Sequence, residues 1–80
     1  MTRYRLETEN RKWLNTFNTL NSAVDFAKSE LTSQLIFDGV PKEYWSTLAK
    51  RCILTDLSTQ EEFIVFYDGS KMLLSKYKSL

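Results

Sequence analysis

Four carboxylates stand where acid–base chemistry could be built. Asp56 lies near Glu61 and Glu62 across an expected turn, and Asp68 sits at the next turn. Two carboxylates held close together can divide general acid and general base roles. The same residues are also the ones turns recruit for solvation and local hydrogen bonding. Nothing else in the chain completes a catalytic set. It has no His and one Cys, Cys52, which rules out a His-based triad, a zinc finger and a disulfide framework. The carboxylates lack the spacing of a calcium loop. Gly39 and Gly69 are isolated, so no glycine-rich loop can cradle a phosphate. We therefore expect no enzyme activity, no metal and no cofactor.

A second constellation is basic and aromatic. Arg3, Arg5, Arg11 and Lys12 surround Tyr4 and Trp13 near the start of the chain. Cations grip phosphates and exposed rings stack on bases, so this region is the candidate for nucleic-acid binding. Glu7 and Glu9 dilute the field, leaving residues 1–12 at a net charge of +2. Residues 68–80 also carry +2, the middle carries −3, and the whole chain carries +1. Non-specific nucleic-acid binding ordinarily rests on a denser basic field, so this is the alternative reading.

The elements that must position these residues can be read from periodicity. Eighty residues make one domain, spanning 1–80, and 42% apolar with 14% aromatic content is the composition of a folded one. Tyr4, Leu6 and Thr8 alternate with Arg3, Arg5 and Glu7, then Trp13, Asn15 and Phe17 alternate with Leu14 and Thr16. Period two on both sides of Glu9–Lys12 predicts a hairpin over 3–8 and 12–17. Leu20, Ala23, Val24, Ala27 and Leu31 make one helical stripe, with Thr19 as N-cap and Gly39 as the left-handed residue beyond the end. That predicts a helix over about 19–34. Pro41 opens a second helix over 41–50, with Tyr44, Trp45, Leu48 and Ala49 as its stripe. Cys52–Leu57, Glu62–Tyr67 and Lys71–Tyr77 read as strands. Asp68-Gly69 is a two-residue hairpin turn that pairs Val65 with Met72 and Phe63 with Leu74.

The order is ββααβββ, a small α+β domain with two helices on one face of an antiparallel sheet. The expected core is Tyr4, Leu6, Trp13, Phe17, Leu20, Ala23, Val24, Ala27, Leu31, Trp45, Leu48, Leu54, Phe63 and Val65. Cys52 reads as a small buried hydrophobe. A lone thiol with no visible signal peptide or membrane-spanning run points to a reducing cytoplasm.

The last strands hold more apolar residues than one face requires. One face collects Cys52, Leu54, Phe63, Val65, Tyr67, Met72 and Leu74. The other collects Ile53, Leu57, Ile64, Phe66 and Leu73. With two short helices available, the second face is expected to meet a protein partner or another copy. Ile53, Leu57, Ile64, Phe66 and Leu73 are its candidate contact residues.

The segment from Phe17 to Ala27 reads F-x-T-L-x-x-A-x-x-x-A. A hairpin running into such a helix resembles a module of small bacteriophage-encoded host-takeover proteins, including inhibitors of host RNA polymerase and of defence systems. The resemblance covers residues 3–31. It implies a non-enzymatic protein binder that inhibits or modulates a host protein, and it carries no functional residue over.

Overall fold

The hairpin forms as the alternation predicts. The computed structural model describes residues 2–80, and in it β1 (Tyr4–Thr8) pairs antiparallel with β2 (Trp13–Phe17). Thr19 then caps α1 (Leu20–Phe37), its Oγ1 accepting from the Ser22 N–H at 3.3 Å. The helix runs three residues past the expected end, so Leu35-Ile36-Phe37 is its last turn. Gly39, at φ +69°, closes it, with Val40 N–H donating to Leu35 O and Gly39 N–H to Ile36 O. The expected second helix is shorter than 41–50. It is a 3-10 turn over Lys42–Tyr44 followed by one turn of α2 (Trp45–Leu48).

Three strands complete the sheet: β3 (Cys52–Asp56), β4 (Glu61–Val65) and β5 (Lys71–Leu73). Among the described residues the order is β2-β1-β3-β4-β5, with every pairing antiparallel. The chain is thus α+β, as expected. β3 lies at the centre and every one of its residues is buried.

The C-terminal third departs from the sequence reading. The turn after β4 has three residues rather than two: Phe66 N–H donates to Ser70 O, and Gly69 N–H, at φ +89°, donates back to Phe66 O. Val65 therefore faces Lys71 and Phe63 faces Leu73. A one-residue slip moves every side chain to the other face. Met72, expected under the helices, joins Ile53 and Ile64 on the opposite face, and Leu73 takes its place. After three residues the strand ends, and Leu74–Lys78 form a helix, α3, where a strand to Tyr77 was expected. Leu74 and Tyr77, at i and i+3, turn their apolar side onto Ile53 and Ile64.

Helices therefore lie on both faces. α1 packs on Tyr4, Leu6, Cys52, Leu54 and Val65 through Ala23, Ala27 and Leu31, with Leu14, Phe17, Leu20, Val24, Phe26 and Phe63 around them. Ala23 and Ala27 are fully buried, and their small side chains let the helix approach the sheet closely. Two residues of the expected core are exposed. Trp13 points outward because an irregularity in the β1–β2 register adds one residue to β2, and Leu14 takes the inward place. Leu48 is exposed because the single turn of α2 turns Trp45 inward instead.

Candidate functional site

The carboxylates of the suspected acid–base cluster are already engaged. Asp56 receives Arg3 through Nε and Nη2 at 3.3 and 3.2 Å, and Ser58 donates to it through N–H and Oγ. These donors hold its pKa down at about 2, so at neutral pH it neither gives nor takes a proton. Glu62 is bound by Arg11, which lowers its pKa. Asp68 accepts from Ser70 N–H and Oγ within its turn and is lowered by them. Glu61 accepts from Thr59. Each carboxylate serves a turn or an ion pair. Among the described residues no group of three or more His, Cys, Asp or Glu is placed to hold a metal ion.

The basic hairpin is similarly committed. Arg3 pairs with Asp56, Arg5 lies 3.7 Å from Glu7, and Arg11 bridges Glu7 and Glu62. Three of the four proposed phosphate-gripping cations are thus neutralised by carboxylates. Lys12 has no ion-pair partner among the described residues, and Trp13 is exposed beside it. The structure places the five nucleic-acid candidates on one hairpin without giving them a free basic field.

Cys52 is buried, and burial pushes its thiol pKa up to about 11, with Glu30 and Glu9 adding to the shift. It forms part of the floor of a cleft of about 730 Å³ between the β1–β2 turn, α1 and the start of β3. Lys12, Lys50 and Arg51 line that cleft together with Glu9 and Glu30. The charges are mixed in sign and the thiol is protonated, so the cleft offers neither a nucleophile nor a concentrated charge.

The contact residues expected on the second face are divided. Ile53 and Ile64 are 4% and 1% exposed, covered by Leu74 and Tyr77 of α3. Phe66 is half-buried at the edge of that cluster, edge-to-face with Tyr77 at 6.1 Å. Leu57 is half-buried after β3, and Leu73 is partly exposed but lies on the other face. The uncovered apolar face expected from the two-helix count is therefore corrected. The additional helix supplies its cover within the monomer.

Besides Trp13, Leu73 and Leu80, four large apolar side chains are exposed within residues 36–48. Ile36 and Phe37 at the end of α1 are 67% and 90% exposed, and Tyr44 and Leu48 are 53% and 58% exposed. Local structure dictates this. Leu35 continues the buried stripe of α1, so the next two residues, about 100° and 200° further round the helix, point away from it. Tyr44 and Leu48 are four apart and share the outer side of the short helical segment. Trp45 anchors the inner side: its Nε1 donates to Val40 O at 2.8 Å, and its ring meets Tyr67 edge-on at 6.2 Å. Sequence reasoning missed these four. The signal was present in the helical period, which already set Ile36 and Phe37 off the stripe.

Neither a family model, nor a curated protein, nor a solved structure matches the chain.

Proposed function

We propose that the protein is a small non-enzymatic binding module that acts by occupying a protein partner's surface, with residues 36–48 as the contact region. The exposure of Ile36, Phe37, Tyr44 and Leu48 within thirteen residues is the observation that carries this reading. Large apolar groups left in water mark association sites, and aromatic anchors carry a large share of interface energy. The engaged carboxylates support a binding role over a catalytic one. The paired arginines weigh against the nucleic-acid alternative. The resemblance of residues 3–31 to phage host-takeover proteins points to a host protein as partner, inhibited or modulated in the cytoplasm.

The test uses the immobilised full chain as bait in host lysate, beside a Phe37→Ser/Leu48→Ser variant and a Lys76→Ser control. A protein retained by wild type and control but lost with the double substitution supports the contact region. Proteins retained equally by all three contradict it. Salt titration with single-stranded and duplex DNA then separates the alternative, since phosphate contacts give a steep fall of affinity with salt.

A further inference from the structure

The helices on the two faces are held by very different means. α1 has 18 residues, a side-chain N-cap, a glycine-closed end and four buried side chains, Ala23, Ala27, Leu31 and Leu35. α3 has five residues and no side-chain cap, and only Leu74 is buried. Among the described residues, no side-chain hydrogen bond or ion pair ties α3 to the sheet. Its own side-chain bond is Ser79 Oγ donating to Lys76 O, within the segment. What remains is the packing of Leu74 and Tyr77 in the cluster with Ile53, Ile64 and Met72, the Tyr77–Phe66 ring contact, and the Arg51 guanidinium, 5.5 Å from the Tyr77 ring and 5.8 Å from Phe66. Helices shorter than roughly 12–15 residues do not persist in water unaided, so α3 depends on Leu74 and Tyr77. β3 is paired along its length to β1 and to β4, and α3 takes no part in either ladder.

We propose that α3 is a displaceable cover, a segment that opens as a local unit while the sheet and α1 stay folded, uncovering Ile53, Ile64, Phe66 and Met72. This is independent of the contact region at 36–48, since none of those residues touches α3 in either hydrophobic cluster. Closed, the chain hides an apolar patch. Open, it presents that patch beside the Arg5–Glu7–Arg11–Glu62 ion pairs that lie on the same side of the sheet.

Neighbouring residues of one strand provide the test. In a Cys52→Ser background, Ile53→Cys places a thiol under α3 and Leu54→Cys places one under α1. Each variant's global stability is measured in parallel, and thiol modification is followed against denaturant. The thiol at 53 should react at least ~10-fold faster than global unfolding allows, with a shallow denaturant slope, while the thiol at 54 follows global unfolding. Equal slopes at the two positions overturn the proposal. Hydrogen exchange on the unsubstituted chain provides a second readout that needs no core substitution. The Lys78 amide should open with a slope well below that of Leu54, and matching slopes overturn the proposal in the same way.

Discussion

Under α1 the sheet buries an apolar field from β1 to β4, whereas the α3 side is part apolar and part ion pairs. Tyr4, Leu6, Cys52, Leu54 and Val65 form one buried field on the first side. On the second, Ile53, Ile64 and Met72 occupy the β3–β5 half. Arg5 and Glu7 on β1 and Glu62 on β4 share that side; Arg11 bridges Glu7 and Glu62, and Arg5 lies 3.7 Å from Glu7. Thr55, flanked across the strands by Arg5 and Glu62, is buried between the two regions. The size of each cover follows from this. A wide apolar field needs a long helix, while a face that is half ion pairs needs only enough chain to bury three side chains. Five residues suffice because the charged half is content in water. The two sheet edges differ in the same economical way. β5 stops after three residues, and β2 carries the irregularity beside Leu14 and has its Thr16 N–H taken by Asn15 Oδ1 at 2.8 Å. Short or irregular edges resist pairing with other chains.

Truncation under the long helix should have the largest effect. Leu54 is fully buried at the centre of the α1 face, so Leu54→Ala should cost ~2–5 kcal/mol. Total stability for a domain is only ~5–15 kcal/mol, and helix signal and tertiary signal should be lost together in denaturant unfolding. A cost no larger than that of a surface change would mean the two faces are not unequal.

Tyr77→Ala should cost less, on the order of 1–2 kcal/mol for a half-buried ring, and should raise binding of an apolar dye while the far-UV spectrum keeps α1. Simultaneous loss of α1 would show that the two covers unfold as one. Thr19→Ala removes the cap of the long helix and should cost about 1 kcal/mol, read as a shift of the denaturant midpoint with unchanged slope. No shift would place the hold on α1 in its packing alone.

Acid should act on both faces with the same sign. Arg3 and Ser58 lower the Asp56 pKa to about 2, and Arg11 lowers that of Glu62. A carboxylate with a depressed folded-state pKa contributes stability above its unfolded value, which is lost as pH falls through the folded value. Stability should therefore decline from about pH 4 toward pH 2, and Asp56→Asn should lower it at neutral pH and flatten that decline. Glu62→Gln should change it less, because its pair is more exposed and is screened by salt.

The hairpin and α1 were legible in the sequence because their periods run long enough to be unambiguous, and Thr19 and Gly39 mark the helix ends by chemistry that depends on no distant residue. Residues 71–77 were not. Over seven residues Met72 and Leu74 satisfy a strand, while Leu74 and Tyr77 satisfy a helix, and the choice is made by Ile53 and Ile64, which lie outside the segment on β3 and β4. Asp68-Gly69 signals a tight turn but does not set its length, and one extra turn residue moved Met72 and Leu73 to opposite faces. Trp13 was misplaced for the same kind of reason, since an extra residue in β2 depends on the partner strand. At the candidate surface, Tyr44 and Trp45 read as one stripe, and the bond from Trp45 Nε1 to Val40 O and its ring contact with Tyr67 show which of them is the anchor.

The most direct test of unequal covers is the conformation of residues 74–78 in solution by NMR. Helical Cα shifts are expected there, together with nuclear Overhauser contacts from the Tyr77 ring to Phe66 and from Leu74 to Ile64. Extended shifts with a cross-strand contact between the Phe63 and Leu74 backbones would mean that β5 continues as a strand, that α3 does not exist, and that Ile53 and Ile64 stand uncovered.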